Sequence, residues 1–159
     1  MDGYIKELRK AYGKRPLIQC GACVIIAHED KILLQRPTDN DKWGLPGGSM
    51  EIGETMEETA ARQVYEETGL FVLPGNLNLF RIFSGDRQHF IYPNGDEAYN
   101  VVAVYTTTIY KGDPKAEGKE NSEIQFFDYK ELPLELNPPE IEIIEAYFVR
   151  LLKLYESLR

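Results

Sequence analysis

Apolar residues recur along this chain with two different periods. Tyr4, Ile5, Leu8 and Tyr12 fall on one stripe of a helix over residues 2–12, and its other face carries Lys6, Arg9 and Lys10. That basic face suits solvent, with phosphate contact as the alternative. Residues 17–27 and 31–36 are dense apolar runs separated by His28-Glu29-Asp30, the pattern of two strands joined by a turn. A polar loop over 37–42 leads to Trp43-Gly44-Leu45-Pro46-Gly47-Gly48, whose glycines and proline argue against regular structure and for a shaped loop. Helical periodicity returns over residues 55–68, with Ala60, Ala61 and Val64 inward. Thr55 and Glu58 have the spacing of a capping box, and Gly69 stands where a left-handed terminating residue belongs. Strand-like stretches follow at 77–83, 89–92, 98–110 and 123–127, with Pro93-Asn94-Gly95-Asp96 as a turn and 112–122 as a polar loop. Asn137, with Pro138 and Pro139 behind it, opens a last helix as its cap. Ile143, Ile144, Tyr147, Phe148, Leu151, Leu152 and Tyr155 give that helix a broad apolar face. The elements predict one domain over 1–159, with 1–15 as a helical extension. Its class is α/β (or α+β): an α/β/α sandwich, a mixed sheet between helices.

Composition narrows the function. With 159 residues, 43% hydrophobic and 28% charged, the chain suits one soluble core. No stretch reaches the roughly 20 apolar residues that span a bilayer. Met1-Asp2-Gly3-Tyr4 opens no apolar signal region, and with two cysteines the expectation is a reducing cytoplasm. A net charge of −8 argues against a nucleic-acid polymer as partner, yet leaves room for an anionic small molecule bridged by a divalent cation. Cys20 and Cys23 form a Cys-x-x-Cys pair, but in a strand i and i+3 point to opposite faces, so they read as packing residues. Whether the last helix is core or a homodimer face stays open, with core as the default.

Candidate chemistry concentrates in one place. Glu54, Glu58, Arg62 and Glu66 recur every four residues and share a face. Glu66 and Glu67 sit at the helix C-terminus, where the helix dipole disfavours carboxylates, so their presence points to use. Paired carboxylates suit a hard cation, Mg²⁺ or Mn²⁺; a solvated acidic face is the alternative. Gly47-Gly48 lets backbone approach a metal or phosphate closely.

The segment from Gly48 to Leu70 resembles the Nudix box, Gly-x5-Glu-x7-Arg-Glu-U-x-Glu-Glu-x-Gly-U, where U is bulky and aliphatic. Gly48, Glu54, Arg62, Val64, Glu66, Glu67, Gly69 and Leu70 stand at its specified positions. The resemblance implies a hydrolase that uses Mg²⁺ or Mn²⁺ and water to cut a diphosphate linkage in a nucleoside diphosphate derivative or nucleoside triphosphate. It implies Glu66, Glu67 and the Gly48 carbonyl as metal ligands. It also implies Arg62 as the residue that orients the carboxylates, paired with Glu54. Gly47, Gly48 and Arg36 are candidate substrate contacts; for Arg36 a structural salt bridge is the alternative.

One position departs. Gln63 replaces a Glu that serves as ligand or general base in many members, and an amide takes no proton at neutral pH. Glu117, Glu120 and Glu123 lie in or beside the downstream loop, and Glu120 is the candidate replacement base. The alternative function is a nucleotide-binding module on the same fold with catalysis reduced by Gln63. Gly85-Asp86-Arg87 lacks the residues that mark known substrate subclasses, so the substrate stays open.

Overall fold

Strand β1 (Leu17–His28) is the spine of the molecule. From Ala22 to Ala27 it is buried without interruption, on both faces, as a central strand between two helical layers must be. Ala22, Val24 and Ile26 pack toward one layer, Cys23 and Ile25 toward the other. This places Cys23 in the core and leaves Cys20 exposed, both as free thiols. The computed structural model describes residues 3–38, 40–115 and 121–158.

The remaining strands are β2 (Lys31–Pro37), β3 (Gly47–Ser49), β4 (Asn78–Phe83), β5 (His89–Ile91), β6 (Glu97–Thr107) and β7 (Asn121–Asp128). They form a mixed sheet in the order β4-β6-β1-β2-β7, with β3 on β1 and β5 on β6. β6 runs parallel to β1 from Leu17↔Ala98 to Ile26↔Thr107. The other edge of β1 is shared. It pairs with β2 at Ala27↔Ile32 and His28↔Lys31, and with β3 from Gly21↔Ser49 to Cys23↔Gly47. β2 thus leaves β1 soon after the turn to pair with β7, and the gap between them is where the site forms.

Helix α2 (Met56–Thr68) covers one face of the sheet, where Ala60 and Val64 are fully buried and Ala61 packs at the edge. Helix α3 (Pro138–Ser157) covers the other through Ile143, Ile144 and Tyr147. Helix α1 (Tyr4–Tyr12) buries no residue; of its predicted stripe, Ile5 and Leu8 are half-buried while Tyr4 and Tyr12 are exposed. The predicted sandwich and mixed sheet are present.

Three local readings change. Residues 47–49, expected as loop, form a strand, because β1 supplies the ladder and Gly47 lies against Ala22 and Cys23 where a side chain would clash. β6 ends at Thr107, whose hydroxyl accepts from Ile109 N at 3.1 Å and turns the chain. Asn137 occupies the α3 cap position but makes no side-chain cap bond. Pro138 and Pro139 leave only the Glu140 amide to satisfy, and the Asn137 backbone carbonyl takes it at 2.9 Å. By contrast, α2 starts and stops as expected. Thr55 Oγ1 accepts from Glu58 N at 3.1 Å, and Gly69 closes the helix at φ 74°.

Candidate active site

The site gathers on the inward, sheet-facing side of α2, where Gln63 and Glu67 are buried. Arg62 is its hub. Its Nε donates to Glu54 Oε2 at 2.6 Å and its Nη2 to Glu54 Oε1 at 2.9 Å, a two-pronged pair of the kind guanidinium favours. The same Nη2 reaches Ser49 O at 3.0 Å, while Nη1 reaches Glu66 Oε2 at 3.3 Å. Glu54 also accepts from Glu51 N at 2.8 Å and Thr59 Oγ1 at 3.0 Å. The Arg62 bond, aided by those other donors, lowers the Glu54 carboxyl to about 2. The same bond raises Arg62 above its ordinary value. Glu54 is therefore a fixed anion that orients Arg62, and a poor proton acceptor at neutral pH.

Glu66 is exposed and Glu67 is 7% exposed, so the two adjacent carboxylates differ in environment. Gln35 Nε2 donates to Glu67 Oε2, and the Gly47 amide donates to Oε1 at 3.2 Å. Gln35 was not anticipated. It interrupts the apolar run Ile32-Leu33-Leu34 and is 4% exposed, and a buried polar residue in such a run is the signal that could have found it. Gln63 lies under Gly48, where a Cβ on that glycine would stand 2.5 Å from its Nε2. Its amide donates to Ser49 O at 3.4 Å. The Gly48 carbonyl oxygen lies against Gly21, within the β1–β3 pairing.

Among the described residues, no three His, Cys, Asp or Glu side chains gather to enclose a metal ion. Glu66 and Glu67 supply two carboxylates, with Glu54 committed to Arg62. That partial all-oxygen set fits Mg²⁺ or Mn²⁺, which take one or two carboxylates and complete their shell with water and phosphate oxygens.

Beside Glu67 opens a cleft of about 280 Å³ in the gap left by β2. Phe90, Tyr92 and Asn100 line it together with Asn40, which bonds Asn137, and with Gly48 and Glu67. Phe90 and Tyr92 stack edge-to-face at 4.9 Å. At its base Glu140 Oε1 accepts from Leu45 N at 3.0 Å, while its buried Oε2 has no hydrogen-bond partner among the described residues. Burial raises this carboxyl to about 7. Arg36 lies outside the cleft lining, ion-paired to Glu123 and above the Trp43 ring at 5.8 Å. Glu117 and Glu120 lie outside the described residues.

The NUDIX domain family model matches residues 18–150. An ADP-ribose pyrophosphatase of Methanocaldococcus jannaschii is 36% identical over 113 residues, 69% of this chain and 61% of that protein. A putative 8-oxo-dGTP diphosphatase of Bacillus subtilis is 31% identical over 121 residues, 74% of this chain and 72% of that protein. The chain thus spans less than two thirds of the archaeal relative. In fold it resembles a MutT NUDIX hydrolase from Burkholderia pseudomallei, with TM-score 0.65 and 24% identity over 76% of this chain and 91% of that one. It also resembles a UDP-X diphosphatase, with TM-score 0.62 and 24% identity over 98% of this chain and 71% of that one. With the box residues gathered on α2 and the segments that flank it, and with the sheet order above, these matches identify the chain as a member of the Nudix family.

Proposed function

We propose that the chain is a metal-dependent hydrolase that cleaves a diphosphate linkage in a nucleoside diphosphate derivative or nucleoside triphosphate by attack of water. The observation that carries this is the placement of Glu67. It is buried, held through both oxygens by Gln35 and Gly47, adjacent to Glu66, and on the wall of the cleft. In this reading Glu66 and Glu67 hold Mg²⁺ or Mn²⁺, with the Gly48 carbonyl as third ligand, and Arg62, braced by Glu54, fixes the end of β3, the strand that carries Gly48. When bound, such a cation neutralises the diphosphate and makes its water more acidic. The cleft, walled by aromatic rings and amides, takes the nucleoside half. The names of relatives and of a structural neighbour supply the first substrates to try: ADP-ribose, 8-oxo-dGTP and a UDP derivative.

In this reading Glu54 orients Arg62 and leaves the proton to another group, since both of its oxygens accept from Arg62. Glu120 is the base this reading calls for. A second reading has a specific observation behind it: Gln63 is 5% exposed and spends its amide on Ser49. On that basis the site binds nucleotides and turns them over poorly. Product detection and calorimetry with Mg²⁺ or Mn²⁺ on the three substrates separate the two. Hydrolysis that falls on the order of 10²-fold in Glu67→Gln and in Glu120→Gln supports the enzyme with its loop base. An unchanged rate in Glu120→Gln removes that base. Binding without cleavage selects the second reading.

A further inference from the structure

Helix α1 lies ahead of the part of the chain that matches the family, yet it is tied to the rest of the molecule at Glu51 and at Glu97. At its start, Tyr4 N donates to Glu51 Oε1 at 2.9 Å, and Glu51 N in turn holds Glu54. Toward its end, Arg9 turns inward, with its side chain only 9% exposed. The Arg9 guanidinium gathers four partners. Nη1 donates to Gly13 O at 3.0 Å and to Arg15 O at 2.7 Å; Nη2 donates to Glu97 O at 2.6 Å and to Gln19 Oε1 at 3.5 Å. Asp96 supplies a countercharge at 3.9 Å. Lys14 binds the Asn94 carbonyl and pins the same hairpin from the other side.

Gln19 is the link inward. It is 5% exposed, and its Nε2 donates to Asn100 Oδ1 at 3.4 Å. The Tyr92 hydroxyl sits with the Asn100 and Gln19 side chains, near the Arg9 charge. Asn100 and Tyr92 line the cleft. A surface helix that needed only solubility would have no use for an arginine turned inward onto the Glu97 carbonyl and the buried Gln19 amide. Buried amides have several ways to orient, and a fixed charged donor at one end of such a chain selects one of them.

We propose that α1 is a working part of the substrate site: Arg9 is a positioning residue that, through Gln19, sets Asn100 and Tyr92 and so the wall against which the nucleoside half lies. This rests on the function proposed above. Arg9 touches neither the box residues nor the cleft itself, so its effect falls on binding rather than on the chemical step.

The test is steady-state kinetics of the intact chain on ADP-ribose with Mg²⁺, or on 8-oxo-dGTP if ADP-ribose is not cleaved. Arg9→Ala should raise KM about 5–10-fold with kcat within about twofold of wild type. Lys10→Ala, which breaks only the exposed pair with Glu7, should change neither. Gln19→Ala should reproduce the KM effect with every residue of α1 unchanged, and it keeps the test open if Arg9→Ala fails to fold. The double variant should be little worse than either single one, since both cut the same link. Additive KM effects, an equal fall in kcat, or an unchanged KM in both single variants would overturn the proposal. Wild-type protein that neither cleaves nor binds either nucleotide overturns the function it rests on, and the proposal with it.

Discussion

At the residue scale, the two carboxyls with shifted acidity pull in opposite directions. Glu54 is held down by Arg62, so its pairing is intact through neutral pH and is lost only as pH falls toward 2. Glu140 is the reverse. Burial raises it from the ordinary 4.5 to about 7, partly offset by the Asn137 side chain and the Leu45 amide. The groups that face it are those two, the buried Cys23 thiol and the Tyr92 hydroxyl, and both of the latter are themselves raised by burial. Between pH 4.5 and 7 the folded chain therefore holds a proton that the unfolded chain has released. Stability contributed by the neutral acid is complete below this window and is lost as pH rises through it, by on the order of 3 kcal/mol. Glu140→Gln keeps an oxygen for Leu45 and removes the titration. Its melting temperature should stay level from pH 5 to 8, while that of the wild type falls by several degrees. Parallel curves for the two proteins would sink this assignment.

At the element scale, what could be read in advance was whatever a side-chain pattern carries locally. Helix α2 was legible because its cap, its period and its terminator are all written in neighbouring residues. Strand β3 was not, because Gly-Gly-Ser has no pattern, and its pairing is imposed by β1, more than twenty residues away. The parallel match of β1 with β6 is also a long-range fact that no local run announces. Gly69 shows how much a terminator contributes. It sits at φ 74°, its amide bonds Tyr65 O at 2.9 Å, and the next residue, Leu70, is fully buried, so the backbone has little room to relax. Gly69→Ala should lower stability by about 1 kcal/mol. Urea unfolding checks it: the midpoint moves down with an unchanged slope. An unshifted midpoint would mean that the helix end is adaptable.

At the scale of the whole molecule, the site joins residues that the chain brings from far apart. Gln35 comes from β2, Gly47 from β3, Glu67 from α2 and Glu140 from the start of α3. The box was visible in the sequence because it is contiguous. The cleft was not, because it exists only where β2 leaves β1 and the α3 start closes the gap. The charge of the whole chain bears on the last step. A protein of net charge −8 that sets Glu66 beside Glu67 at a helix C-terminus carries an electrostatic cost that a divalent cation would relieve. A ligand that binds only the folded state raises its stability by an amount fixed by concentration over Kd, about 1.4 kcal/mol at ten times Kd. Millimolar Mg²⁺ or Mn²⁺ should therefore raise the melting temperature by a few degrees. NaCl at matched ionic strength should do less, because screening relieves surface repulsion without a bound ion. Glu67→Gln should lose the divalent part of the rise and keep the NaCl part. An equal rise in NaCl, or an undiminished Mg²⁺ effect in Glu67→Gln, would place the cation elsewhere than on this carboxylate pair.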